Sequence, residues 1–140
     1  WAEAALFAAA RAQLVEEVIR PALARGAIVV CDRYVDSSLA YQGIARDLGL
    51  DAVLELNRIA TGGLLPDRTF LLALPVGEAL ARSPGRPDRI EREGVAFLEC
   101  VAAAYRELAE RFPERIVVLD ATRPQSELTR LVRDGLRAAA

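Results

Sequence analysis

The sequence contains no lysine, no histidine and no methionine, and its two cysteines lie far apart. Without histidine the chain lacks the commonest general base and the commonest metal-binding side chain. Cys31 and Cys100 have no metal-type spacing, and their apolar sequence neighbours predict buried free thiols in a reducing compartment. All 18 basic residues are arginine, whose planar guanidinium fits phosphate oxygens with two hydrogen bonds.

The sequence also lacks a strong excess of charge and a long apolar run. A net charge of −2 gives no argument for nucleic acid or an anionic membrane as a partner. No apolar run approaches the roughly 20 residues that span a bilayer, and the N-terminus has no signal-peptide pattern. We therefore expect a cytoplasmic protein with neither of these partners. Because the sequence opens at Trp1 inside a helical pattern, we interpret it as N-terminally incomplete.

Apolar runs of strand length alternate with helical patterns along the chain. Buried strands are predicted at 27–31, 69–74 and 115–119. The predicted helices are 2–25 with a kink at Pro21, 37–47, 51–60 with Asp51 as N-cap, 77–82, 89–111 and 125–138. This alternation predicts an α/β fold with parallel strands and crossover connections. Ligands of such folds gather where strands end, which here means Asp32-Arg33 and Asp120-Ala121-Thr122.

The segment with the most chemical content runs from Cys31 to Gly43. Arg33 can clamp a phosphate, and Asp32 can bind Mg²⁺ through water or orient an arginine. The alternative is an ordinary salt bridge at a strand end, followed by a helix cap rich in serine. The Asp-Arg dipeptide alone favours this alternative.

The complete segment resembles the thymidylate kinase signature, in which a DR[YH] motif precedes a serine-rich stretch and then AYQG. Four further segments resemble motifs of that family in the same order: Leu6–Gln13, Gly63–Thr69, Asp88–Glu91 and Leu119–Thr122. Five motifs at suitable spacing are far more specific than any one of them, and the resemblance covers essentially the whole chain.

The resemblance implies a P-loop nucleotide kinase-like fold, a parallel sheet with flanking helices, that lacks its N-terminal strand or strands. We expect residues 1–140 to form a single partial domain with the acceptor-nucleotide site, a lid at about 82–91, and a C-terminal strand and helix. In the family's strand order, 27–31 and 69–74 would each lack an inner neighbour and expose unpaired backbone. Because the chain has no lysine, it cannot contain the motif G-x-x-x-x-G-K-[ST] that holds ATP phosphates.

The resemblance also implies roles in the acceptor site. Phe7 would stack on thymine, Arg11 would reach an exocyclic oxygen of the base, and Arg33 would hold the 5′-phosphate. Ser38 and Gln42 would complete base recognition, while Tyr41 would pack on the sugar and disfavour a 2′-hydroxyl. Three of these residues have a plainer alternative. Phe7 would be core, Arg11 a solvated helix charge, and Tyr41 a half-buried aromatic residue.

Three arginines surround the Pro- and Gly-containing segment that resembles the lid. Arg86 is the first candidate to stabilise the transferring phosphoryl group and Arg89 the second, whereas Arg82 would pack near the adenine of ATP. Asp32 joins the predicted catalytic residues as a Mg²⁺ ligand. The alternative is an exposed loop kept soluble by charge. This lid is shorter than is typical of the family, and Ala73 replaces the usual acidic residue of its strand.

The implied activity is ATP- and Mg²⁺-dependent phosphorylation of dTMP to dTDP, by a protein that is a homodimer when complete. The attacking phosphate oxygen is already anionic at neutral pH, so the absence of histidine is no obstacle. The 140 residues alone are predicted to be inactive. The alternatives are another nucleoside or nucleotide kinase, and a catalytically inactive nucleotide-binding or dimerisation module. The sequence upstream of Trp1 would discriminate between an enzyme and such a module.

Overall fold

A computed structural model describes residues 1–82 and 93–137 of the chain. By their contacts the residues divide into two compact units, Trp1–Leu65 and Pro66–Ala140. Arg86, Arg89 and the motif 88–91 lie outside the described residues. Among the described residues, no helix is both long enough and apolar enough to cross a lipid bilayer.

The first unit begins with one long helix in three segments, namely α1 (Ala2–Leu14), a π-helical stretch (Val15–Ile19) and α2 (Arg20–Ala24). This confirms the helix predicted at 2–25. The π-helical stretch ends two residues before Pro21, which has no N–H and whose ring crowds the carbonyl four residues earlier, within the stretch. A locally wider turn accommodates that missing donor. The helix ends before Gly26, which has a φ of 76°, as expected of a glycine at this position.

The strand predicted at 27–31 is wrong, because these residues belong to no strand of the described structure. Ile28 and Val30 are 79% and 85% exposed. A strand needs a neighbour to satisfy its backbone groups, and none of the described segments pairs with this one. Cys31 is therefore exposed, as is Cys100, so both thiols are free as predicted but not buried.

The rest of the first unit consists of α3 (Val35–Ser38), a second π-helical stretch (Leu39–Ala45) and α4 (Leu50–Thr61). Helix α4 packs on α1 and on the second π-helical stretch. The two elements approach closely at Gly43, where a Cβ atom would lie 3.3 Å from Leu50 Cα. The predicted N-cap Asp51 is wrong, because the N-cap is Gly49. Buried apolar residues fill the space between the helices: Ala4, Ala8, Val15, Ile19, Val35, Leu39, Ala40 and Val53.

The described part of the second unit is built as β1 (Thr69–Ala73), α5 (Val76–Arg82), α6 (Val95–Arg111), β2 (Ile116–Asp120) and α7 (Gln125–Arg137). The two strands pair in parallel, with Thr69 opposite Ile116 and Ala73 opposite Asp120. The predicted α/β class, with parallel strands and flanking helices, is confirmed. The predicted start of the long helix at residue 89 and the end of the last helix at 138 lie outside the described residues.

The second unit is packed through apolar side chains. Helix α6 contacts β2 and α5, and it buries Val101 and Leu108. On α7, Gly135 leaves room for an aromatic ring of β1, because a Cβ atom at this position would lie 2.7 Å from Phe70 Cε1. The helices therefore pack on the sheet through contacts that depend on side-chain size, while Leu72 and Val118 remain 57% and 51% exposed.

Candidate functional site

The guanidinium of Arg11 is held by acceptors from two other parts of the first unit. Its Nη1 donates a hydrogen bond to Asn57 Oδ1 on α4. Its Nη2 donates to the carbonyl oxygen of Tyr34 at 3.1 Å and to Ser38 Oγ at 3.2 Å. The interpretation of Arg11 as a solvated helix charge is therefore wrong. Three contacts fix a cation that projects from α1.

Burial perturbs the electrostatics around this guanidinium. Desolvation lowers the pKa of Arg11, although the neighbouring Tyr34 opposes this effect. Burial also raises the pKa of Tyr34, against the attraction of the Arg11 cation. The Arg11 Cζ atom lies 5.5 Å from the centroid of the Tyr34 ring. Because a guanidinium does not lose its proton in proteins, the site retains a partly desolvated positive charge.

Asn57 was not among the predicted site residues, yet it is the most enclosed polar group of the cluster. Its exposure is 0%, and its Nδ2 donates to the carbonyl oxygen of Val53 at 2.7 Å. Val53, Asn57 and Thr61 follow one another at four-residue spacing along α4, and all three are buried. Two polar residues on an otherwise core-facing stripe need hydrogen-bond partners. The four-residue spacing from Val53 was the feature of the sequence from which the burial of Asn57 could have been predicted.

Arg33 and Tyr41 form a second pair in this unit. The Arg33 Cζ atom lies 5.5 Å from the centroid of the Tyr41 ring. Arg33 has a φ of 63°, in the left-handed region that a residue with a Cβ atom rarely adopts. The Cys31 thiol donates to the carbonyl oxygen of Arg33 at 3.3 Å. Backbone strain of this kind clusters at functional sites. The residue before Arg33 is Asp32, whose carboxylate is exposed.

Ser38 and Gln42 are each only 2% exposed and lie one turn apart. Ser38 Oγ accepts a hydrogen bond from Arg11, whereas Gln42 Nε2 donates to Glu3 Oε1 at 3.0 Å. Glu3 also pairs with Arg46, whose Nε lies 2.9 Å from the same oxygen. Glu3 was not predicted either. It fixes the orientation of the Gln42 amide.

Phe7 lies on α1, one turn before Arg11, and its side chain is 42% exposed. The alternative interpretation of Phe7 as core is therefore wrong. Contacts between described residues join Arg11 with Ser38 and Arg33 with Tyr41. The half-buried ring of Tyr41 is compatible with both interpretations of that residue.

In the second unit, Arg82 reaches the end of β2. Its Nη1 donates to the carbonyl oxygen of Ala121 at 3.0 Å, and its Nη2 lies 3.6 Å from Glu78. At the same strand end, Asp120 Oδ1 accepts hydrogen bonds from the hydroxyl and the N–H of Thr122 at 2.7 and 3.0 Å. These two hydrogen bonds are the main reason that the pKa of Asp120 is lowered.

The described residues contain no group of three acidic, cysteine or histidine side chains that could hold a metal ion. Mg²⁺ rarely uses such an all-protein cage, and it is usually bound by one or two carboxylates together with waters and substrate phosphates. The exposed carboxylate of Asp32 fits this mode of binding.

A comparison with protein families matches residues 1–132 to the family model described as "Thymidylate kinase". Three relatives with that name come from Desulforudis audaxviator, Limosilactobacillus fermentum and Deinococcus radiodurans. They are 56%, 49% and 50% identical to this chain over 122, 138 and 125 residues. These alignments cover 86%, 96% and 88% of the chain, and 55%, 63% and 61% of the relatives. The chain therefore spans less than two thirds of the length of these curated relatives.

Proposed function

Because the chain belongs to the thymidylate kinase family, we propose that it forms the acceptor-nucleotide side of an enzyme that phosphorylates dTMP to dTDP with ATP. The observation that carries this proposal is the guanidinium of Arg11, held at a partly buried position by Asn57, Tyr34 and Ser38. An ordinary surface charge would not be fixed by acceptors from two other segments of the chain.

The proposed role of Arg11 is to recognise the base. A guanidinium has five N–H donors and no acceptor, and the contacts with described residues use three of them. The remaining donors, on Nε and Nη1, suit a carbonyl oxygen such as O4 of thymine. They do not suit an amino group at the same position. The exposed ring of Phe7, one turn away, offers a face on which a planar base can stack.

Ser38 and Gln42 complete base recognition in this proposal. Because Glu3 holds the amide nitrogen of Gln42, the carbonyl oxygen is the Gln42 atom suited to accept the N3–H of thymine. Ser38 contributes through its contact with Arg11. The site would thus combine donors and an acceptor in the order that a thymine ring requires.

Arg33 is the proposed ligand of the 5′-phosphate. Its exposed guanidinium can form two charge-assisted hydrogen bonds to a phosphate, and its contact with the Tyr41 ring restricts where it lies. Tyr41 itself would pack on the sugar and exclude a 2′-hydroxyl. An acceptor phosphate is anionic at neutral pH, so a positioning cation is needed and a general base is not.

On the donor side, the proposed residues are Arg82 near the adenine, with Arg86 and Arg89 as arginines that stabilise the transferring phosphoryl group. Asp32 would hold Mg²⁺, directly or through water. When bound, Mg²⁺ neutralises the charge that develops on the phosphate oxygens. The 140 residues contain no lysine for a P-loop, so we expect them to be inactive alone. A cytoplasmic homodimer is the proposed state of the complete protein.

The test is a pair of substitutions in the product of the complete gene. Arg33→Ala should lower kcat/KM for dTMP, dUMP and dCMP alike by more than about a hundredfold, because a two-bond phosphate contact is lost. Arg11→Ala should lower kcat/KM for dTMP and dUMP by about ten- to hundredfold. It should affect dCMP less, because dCMP carries an amino group in place of O4.

The control is Arg58→Ala, an exposed arginine on α4 in the same unit. It should change kcat/KM for each of the three nucleotides by no more than about twofold, as expected of a surface position. Near-normal activity of Arg33→Ala on all three nucleotides would refute the acceptor-site proposal, because the other roles are assigned around that phosphate.

A further inference from the structure

Asn57 occupies a position that helix stability alone does not explain. It lies in the interior of α4 with an exposure of 0%. Asparagine is a poor helix former, and burying its amide costs free energy unless hydrogen bonds replace those made to water. An aliphatic residue would extend the apolar contacts made by Val53 one turn earlier. The amide therefore needs a partner that makes its burial favourable.

Two contacts fix the orientation of the Asn57 side chain. Nδ2 donates to the carbonyl oxygen of Val53 on its own helix at 2.7 Å. Oδ1 is directed to the opposite side, where it accepts a hydrogen bond from Arg11 Nη1. The amide thus faces Arg11 with an acceptor, the only kind of group that a guanidinium can pair with.

Asn57 and the α3 region hold different nitrogens of the same guanidinium. Tyr34 and Ser38 accept from Nη2, whereas Asn57 is the partner of Nη1 among the described residues. Contacts to two nitrogens define both the position and the plane of a guanidinium. Without Asn57, the group would be held through one nitrogen and could rotate about it. The directions of the remaining N–H donors would then no longer be fixed.

We propose that Asn57 is a positioning residue that orients the Arg11 guanidinium, and that it thereby sets the preference for a 4-oxo over a 4-amino pyrimidine nucleotide. This inference rests on the proposed function of Arg11 in base recognition. Asn57 acts through Arg11 and not by contact with the nucleotide. It fixes the N–H donors of Arg11 before the nucleotide binds, so that less conformational freedom is lost on binding.

The experiment compares Asn57→Leu with Asn57→Asp in the product of the complete gene. Leucine has a similar size but offers no acceptor, so the dTMP/dCMP ratio of kcat/KM should fall about tenfold. KM for dTMP should rise while KM for ATP stays constant. An ionised aspartate cannot donate to the carbonyl oxygen of Val53, but it keeps an acceptor that forms a charge-assisted hydrogen bond with Arg11, so Asn57→Asp should retain the ratio.

Val53→Ala is the matched control, because Val53 is equally buried one turn earlier on α4. Its side chain is apolar and can offer Arg11 no hydrogen bond. This variant should lower stability without changing the dTMP/dCMP ratio. If Asn57→Leu does not fold, Asn57→Ala removes the acceptor without placing methyl groups against the guanidinium, and the same ratio is measured.

A double substitution separates this inference from the proposed function. In an Arg11→Ala background, Asn57→Leu should cause no further change in the dTMP/dCMP ratio. If Arg11→Ala changes the ratio but Asn57→Leu alone does not, the role of Asn57 is refuted and the proposed function stands. If Arg11→Ala itself leaves the ratio unchanged, the base-recognition proposal and the role of Asn57 both fail.

Discussion

The two units differ in what they bury. Among the described residues, every buried polar side chain belongs to Trp1–Leu65: Asp36, Ser38, Gln42, Asn57 and Thr61. The buried side chains of the second unit are all apolar: Val101, Ala104, Leu108, Ile116, Leu119 and Ala121. Apolar burial stabilises a fold without specifying a chemistry, whereas buried polar groups must be paired and so fix particular orientations.

This difference suggests a division of roles. Substitutions in the buried polar cluster of the first unit should change what the protein recognises. Substitutions in the apolar core of the second unit should change how stable it is and leave recognition alone.

The largest effect on stability is expected from Leu108→Ala. Leu108 is fully buried on α6, and replacing such a leucine by alanine typically lowers the free energy of unfolding by about 2–5 kcal/mol. Urea unfolding measures this change, with the exposed neighbour Glu107→Ala as control. The dTMP/dCMP ratio of kcat/KM should stay the same. A ratio altered more than about threefold would contradict the division between the units.

A smaller loss is expected from Gly135→Ala, at the contact of α7 with β1. The added Cβ atom would lie 2.7 Å from Phe70 Cε1, and overpacking of this kind costs about 1–3 kcal/mol. Alanine is a better helix former than glycine by up to about 1 kcal/mol. The net effect of Gly135→Ala should therefore be a free energy of unfolding lower by about 1 kcal/mol, as measured by urea unfolding.

The control for Gly135 is Gly77→Ala on α5, where the added Cβ would meet no atom within 4 Å outside its chain neighbours and the backbone of its own helix. This variant should stabilise the protein by about 0.5–1 kcal/mol. Combining Gly135→Ala with Phe70→Leu should recover most of the loss. If Gly135→Ala stabilises the protein as much as Gly77→Ala does, the Phe70 ring does not lie against α7 at Gly135.

The smallest effect is expected on the pKa of Asp120, which is lowered mainly by hydrogen bonds from Thr122. Thr122→Val removes the hydroxyl donor and should raise the pKa of Asp120 toward its ordinary value, as measured by NMR titration. Because the folded pKa is the lower one, the stabilisation is present above the unfolded pKa of about 3.9. It is lost as the pH falls through the folded pKa.

Thr129→Val is the control for Thr122, because the Thr129 hydroxyl donates to the carbonyl oxygen of Gln125 and not to a carboxylate. An Asp120 pKa that moves equally in both variants would exclude Thr122 as the cause.

The fold could be predicted wherever an apolar run has a partner. The runs at 69–74 and 115–119 both form strands, because each lies beside the other and their backbone groups are paired. The run at 27–31 is also apolar, but its backbone pairs with no described strand. An apolar pattern shows what a segment is able to form. It does not show whether a neighbour is present.

The candidate site was predictable only where motifs mark it. The motifs predicted that Arg11 and Ser38 serve one site, and the two side chains are in contact. Asn57 lies 46 residues from Arg11, and Glu3 lies 39 residues from Gln42. No local pattern encodes pairs at such separations. The available sign was indirect, namely a polar residue on the buried face of α4.

The π-helical stretch Leu39–Ala45 has a further consequence, for tolerance to changes in chain length. A π-helical turn holds more residues than an α-helical one, so it shifts the angular phase between the segments on either side. Ser38 precedes it and contacts Arg11, whereas Gly43 within it packs against Leu50. Deleting one residue here would turn Ser38 by about 100° relative to the residues that follow. The stretch should therefore tolerate changes of side chain far better than changes of length.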